Sequence, residues 1–172
     1  MAISAYLKDL RRHVGASLLL MPGVAAVIRD AEGRVLLQRR RDDNQWGLPA
    51  GATDPAEAPA QTLVREVWEE TGLRVAPERI LGVFGGSHGF RFVYPNGDQV
   101  EYTVIAFECR VVGGELEARD GESLELRYFA PEEMPPLKAP YPRALFEPGG
   151  PAQTFFQWDD AWLDALEGPI SP

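Results

Sequence analysis

The chain has one cysteine, Cys109. A single thiol excludes an internal disulfide and a cysteine metal cluster, and it fits a reducing cytosol. Long apolar runs are also missing. The longest strongly apolar run near the start is Leu18–Met21, far short of the roughly 20 residues that a bilayer-spanning helix needs. No basic run followed by a long apolar one marks a signal peptide. A cytoplasmic protein with no membrane partner is therefore expected. Positive charge is scarce: 17 lysines and arginines face 26 aspartates and glutamates, for a net charge of −9. That balance disfavours non-specific binding to nucleic acid. It does not exclude an anionic substrate, because a bound cation inverts the local charge. No internal repeat is visible.

What is present suits one domain over residues 1–172, with 45% apolar residues to build its core. Ile3, Tyr6, Leu7 and Leu10 recur at helical spacing and predict a short leading helix at about residues 3–13. Met21-Pro22-Gly23 reads as a turn. Val24–Ile28 reads as a buried strand, Asp30–Gly33 as a hairpin turn and Arg34–Arg40 as the returning strand. Further strands are expected at Leu81–Phe84, Phe90–Tyr94, Gln99–Val112 and Leu126–Ala130, with a hairpin turn at Pro95-Asn96-Gly97-Asp98. Pro131–Met134 predicts a helical turn. Residues 135–153 hold six prolines and predict a long loop, followed by an amphipathic helix over Phe155–Leu166, so that loop and helix together fill about 135–167. Hairpins around one dominant helix indicate an α+β or α/β/α sandwich, with a mixed and not an all-parallel sheet.

That dominant helix is expected from Pro59 to Thr71. Proline suits the first helical position, and Gly72 suits the left-handed residue beyond the end. Ala60, Leu63, Val64, Val67 and Trp68 form a stripe expected to enter the core. Glu66, Glu69 and Glu70 lie about 130° away around the helix. Solvated helix faces usually mix charges at i, i+4 spacing, but no lysine or arginine follows here to neutralise the three carboxylates. Carboxylates gathered in this way are what a hard cation such as Mg²⁺ or Mn²⁺ requires. A plain solvated face is the alternative.

The stretch around this helix resembles the signature of the Nudix hydrolases. Gly51, Glu57, Arg65, Glu66, Val67, Glu69, Glu70, Gly72 and Leu73 match its nine specified positions over 23 residues. The resemblance extends upstream through Trp46-Gly47-Leu48-Pro49. It implies a Nudix-type sandwich with a central carboxylate-bearing helix, and a metal-dependent hydrolase of the diphosphate linkage in a nucleoside diphosphate joined to another group. Nucleotide sugars, ADP-ribose-like molecules and (d)NTPs are the implied classes. It further implies Glu66, Glu69, Glu70 and the Ala50 carbonyl as ligands of Mg²⁺ or Mn²⁺, Arg65 as the group orienting Glu66, and Glu57 as the partner of Arg65. Ala50 stands where many members have glycine. A non-catalytic nucleotide-binding module is the competing reading, against which the complete set of carboxylates argues.

Outside the signature, Asp120 and Glu122 are candidates for an additional acid, or members of a solvated acidic hairpin. Phe90, Phe92 and Tyr94 alternate. They are read as one side of an ordinary strand or as a stacking surface for a base. His88 is a substrate-contact candidate or a loop residue. Arg39, Arg40 and Arg41 could meet phosphate or end a solvated strand, with Arg39 taken as the substrate contact. Trp158 and Trp162 are expected to pack on the body or on a second subunit, which leaves a homodimer open.

Overall fold

The computed structural model describes residues 4–94 and 96–165. Helix α1 spans Ala5–Val14, capped by Ser4, whose hydroxyl accepts the Leu7 N–H at 3.2 Å. The strands are β1 (Leu19–Ile28), β2 (Val35–Arg40), β3 (Trp46–Gly47), β4 (Ala50–Ala52), β5 (Leu73–Phe84), β6 (Arg91–Val93), β7 (Gln99–Gly114), β8 (Ser123–Phe129) and β9 (Phe155–Phe156). Helix α2 occupies Pro59–Thr71, and Gly72 adopts φ 70° beyond it, both as expected. A mixed sheet runs β4-β1-β7-β5-β9 with β6 on β7, and a second sheet runs β3-β2-β8.

The unbroken apolar run in β1 reflects burial on both faces. Ala25 and Val27 pack with Val35, Leu37, Leu81 and Phe84 on one side. Val24, Ala26 and Ile28 pack with Leu63 and Val67 of α2 on the other. The mixed sheet is thus the middle layer of the α+β fold.

Several expectations need correction. Strand β1 begins at Leu19 and passes straight through Met21-Pro22-Gly23, paired in parallel with β7 from Leu19↔Val100 onward. Pro22 is tolerated because it lies just beyond the β1–β4 ladder, which starts at Gly23; the Thr53 N–H still donates to its carbonyl at 3.1 Å, and a proline omits only the return bond. The turn at Asp30–Gly33 exists, with Gly33 at φ 79°. It does not form a hairpin ladder: only Arg29 and Val35 bridge, and the chain passes from one sheet to the other. Strand β5 starts eight residues earlier than expected, directly after α2, and takes up Pro77 at a register shift. The closing segment is not one helix. Phe155–Phe156 adds a parallel strand beside Gly82 and Val83, and only Ala161–Ala165 is helical; Leu166 lies outside the described residues. Gly82 permits this docking, since a side chain there would crowd the Phe155 carbonyl. Trp158 and Trp162 are exposed and do not pack on the body.

The turn between β6 and β7 follows the expected hairpin, with the Tyr94 N–H donating to the Asp98 carbonyl at 2.9 Å. Among the described residues, no helix is long and apolar enough to cross a membrane.

Candidate active site

The buried face of α2 comprises Thr62, Leu63, Glu66, Val67, Glu70 and Thr71. It is rotated by roughly 80° from the predicted stripe toward the glutamates. Ala60, Val64 and Trp68 are exposed, whereas Glu66 and Glu70 are 6% and 3% exposed. Buried carboxylates need partners, and the strands around α2 provide them.

Glu70 accepts the Ala50 N–H at 2.9 Å and lies 3.5 Å from an Arg40 nitrogen. Burial pushes its carboxyl up to about 8, opposed by a hydrogen bond from Gln38. Gln38 is itself buried and accepts the Ser123 hydroxyl at 2.8 Å. Burial also raises the Glu66 pKa, against the pull of Arg65 at 2.9 Å. Glu66 lies directly on Gly51, where a Cβ would fall on its carboxyl group. Any side chain at position 51 would therefore displace Glu66.

Arg65 holds three carboxylates. Its Nε donates to Glu57 at 2.6 Å and its Nη2 to the same carboxylate at 2.9 Å, a two-pronged pairing. Its Nη1 reaches Glu66 at 2.9 Å and Glu69 at 3.3 Å. Glu57 is further held by the Thr62 hydroxyl at 3.0 Å and the Asp54 N–H at 3.3 Å. The bonds from Arg65 hold the Glu57 carboxyl down at about 2. The sequence-based picture of a cluster without a cation is thus wrong. Arg65 serves Glu57, Glu66 and Glu69, and Arg40 approaches Glu70 and Glu122, each at 3.5 Å.

Two cavities flank this framework. An acidic cleft is lined by Ser4, Leu7, Met21, Asp54 and Arg65, together with Glu66, Glu69, Glu70, Asp120 and Glu122. An aromatic cavity is lined by Phe90, Phe92, Tyr94, Tyr102 and Tyr141, with Arg40, Asp42 and Lys138 as its charged groups. Consecutive positions of one strand pair join them. On β1, Met21 borders the cleft and Gly23 the cavity; on β4, Ala52 borders the cleft and Ala50 and Gly51 the cavity.

Phe90, Phe92 and Tyr94 therefore share one cavity, although only Arg91–Val93 is strand. Asp120 and Glu122 both reach the cleft, and the Asp120 carboxylate accepts the Glu122 N–H at 2.8 Å. His88 is exposed in a distorted turn and lines neither cavity. Arg39 also lines neither; it pairs with Glu125 at 3.0 Å and with Asn44 at 3.1 Å. Arg40, two positions beyond Gln38, does line the aromatic cavity, and two-residue alternation along β2 could have shown this. Leu36 packs on the α2 side of β2, so Gln38 and Arg40 follow it there while Arg39 points away.

The donors of the cleft are all oxygens, the kind that Mg²⁺ and Mn²⁺ prefer, and Gly51 leaves room for Glu66 to lie flat on the loop. The residues fit such an ion in kind. Among the described residues no three acidic or other ligating side chains converge on one point; the carboxylates pair with Arg65 and Arg40 instead. Binding an ion would exchange some of these ion pairs for metal contacts.

A family model described as NUDIX domain matches residues 19–147. The chain is 34% identical over 111 residues to a MutT-like protein from Streptomyces ambofaciens, covering 64% of each. Of three curated relatives it matches, it spans 64%, 34% and 42% of the length. Among solved structures, an ADP-ribose pyrophosphatase from Streptococcus suis superposes with a TM-score of 0.63 at 26% identity, covering 80% of this chain and 98% of that one. A UDP-X diphosphatase superposes with a TM-score of 0.64 at 24% identity, covering 88% and 74%, and supports the fold alone.

Proposed function

Because this chain belongs to the NUDIX family, we propose that it is a Mg²⁺- or Mn²⁺-dependent hydrolase of the diphosphate linkage in a nucleoside diphosphate joined to another group. Nucleotide sugars, ADP-ribose-like molecules and (d)NTPs are the substrate classes considered. The observation that carries this reading is the adjacency of the acidic cleft and the aromatic cavity along β1 and β4. A nucleotide needs both: a surface on which its base can stack and a cation site for its diphosphate.

Glu66, Glu69, Glu70 and the Ala50 carbonyl would hold the ion. Once bound, the ion neutralises phosphate charge and lowers the pKa of an attacking water. Arg65 fixes the direction of Glu66, and Glu57 fixes Arg65. A carboxylate at the cleft, from Glu66 or from Asp120 and Glu122 opposite, takes the proton of the water. Phe92, Tyr94 and Tyr102 receive the base. The likeness to an ADP-ribose pyrophosphatase supports this reaction class. The net charge of −9 supports a small-molecule substrate over a nucleic acid, and the single buried cysteine supports a cytoplasmic setting. The exposed Trp158 and Trp162 leave room for a homodimer.

The test is a phosphate-release screen over nucleoside triphosphates, nucleotide sugars, ADP-ribose and dinucleoside polyphosphates, with and without Mg²⁺. Cleavage of at least one class, abolished by EDTA, is expected. Full turnover in EDTA would contradict the metal-dependent reading. Nucleotide binding without any cleavage would favour the non-catalytic module.

A further inference from the structure

Helix α1 precedes the segment that the family model matches, yet two of its residues complete the acidic cleft. Among the described residues, Ser4, Leu7, Met21 and Ala52 are its uncharged walls. Leu7 is half-buried and Met21 is buried. Arg11, one turn further along α1, donates to the carbonyls of Ser17 at 2.7 Å and Gln99 at 2.8 Å. It also lies 3.5 Å from Asp98, with its side chain only 11% exposed. One guanidinium therefore ties α1 to the β6–β7 turn and to the entry of β1, and holds Leu7 over the carboxylates.

The cleft behind this wall is small. It encloses about 120 Å³, as does the aromatic cavity, whereas ligand sites commonly hold roughly 300 Å³ or more. The proposed function seats a base in the cavity and the diphosphate with its cations in the cleft, and Leu7 is a wall of that cleft. We infer that α1 is a size filter on the distal group, the one on the far side of the diphosphate, with Leu7 as its contact residue and Arg11 as its positioning residue. The unmodified chain favours nucleotides whose distal group is compact, a phosphate, over those that carry a sugar or a second nucleoside. This inference rests on the pyrophosphohydrolase reading.

The test compares ATP with ADP-ribose, which share adenosine, so that any base preference of the cavity cancels. Values of kcat and KM are measured with Mg²⁺ for the unmodified protein, Leu7→Ala and Arg11→Ala, with melting in EDTA as a check on folding. The unmodified protein should prefer ATP. Both variants should gain efficiency toward ADP-ribose, mainly through a lower KM, and shift the ADP-ribose-to-ATP ratio by roughly tenfold, the scale on which a pocket discriminates one small apolar group. A gain on one substrate cannot come from partial unfolding, which lowers both. Two results overturn the filter while leaving the pyrophosphohydrolase reading intact: an unmoved ratio in the variants, or an unmodified protein that already prefers ADP-ribose. Failure of the unmodified protein to cleave either substrate, or any other nucleotide in the screen, overturns both.

Discussion

The acidic cleft and the aromatic cavity share a wall but differ in how they are made. The cleft draws three of its six carboxylates from one helix, and the spacing of those three is fixed by the helix repeat. The cavity collects Phe90 and Phe92 from one segment, Tyr102 from β7 and Lys138 and Tyr141 from the proline-rich loop. The first is a local constellation and the second a product of tertiary packing. Chemistry belongs to the cleft and recognition of the base to the cavity, and that division can be attacked from either side.

The largest effect should come from Gly51→Ala. The added methyl falls on the Glu66 carboxyl, so turnover should drop by about a hundredfold or more, the scale of losing one well-placed electrostatic group. Melting in EDTA should change far less, because Glu66 can swing away. Near-normal kcat in this variant would show that the position of Glu66 is not critical.

Arg65→Lys keeps the charge and loses the planar fork that spans Glu57, Glu66 and Glu69. A fall in kcat of roughly ten- to a hundredfold is expected, as for other groups that orient metal ligands. A change confined to KM would place Arg65 in substrate binding instead.

On the cavity side, Phe92→Ala should raise KM about tenfold with kcat little changed, since stacking a base on an aromatic ring is worth roughly 1–3 kcal/mol. Loss of kcat with an unchanged KM would break the division between chemistry and base recognition.

The smallest effect concerns acid stability. The Glu57 carboxyl sits at about 2 against an ordinary 4.5, held there by Arg65. A depressed pKa contributes stability that is present above about 4.5 and is lost as pH falls toward 2. Glu57→Gln should therefore flatten the decline of Tm across that window in EDTA while lowering Tm slightly at neutral pH. An unchanged slope would mean that the pairing contributes nothing to stability.

Legibility in the sequence followed the same contrast. The limits of α2 were readable because Pro59 and Gly72 mark them chemically, and the carboxylates because their spacing is local. The face that α2 buries was not. An apolar count favours Val64 and Trp68, but the fold buries Glu66 and Glu70, since Ala50, Gln38 and the arginines supply partners that only tertiary structure brings near. A run of three arginines, 39 to 41, does not by itself show which one faces inward; alternation along β2 does. The C-terminal aromatics were read at helical spacing, yet Phe155 completes the sheet through backbone pairing beside Gly82, a partner 73 residues away. Tyr102, Lys138 and Tyr141 carry no local signal that would join them to Phe92.

The most direct measurement pairs two readings on Glu70→Gln: diphosphate cleavage at saturating Mg²⁺ and melting in EDTA. Glutamine keeps the size and the acceptor for the Ala50 N–H but cannot give up a proton to become the anion that a cation would bind, as the buried Glu70 carboxyl can. Cleavage should fall at least a hundredfold, roughly 3 kcal/mol, and the metal-free Tm should hold or rise slightly. Unchanged cleavage would contradict the claim that this helix carries the chemistry, and lost cleavage with a collapsed metal-free fold would make Glu70 a structural residue.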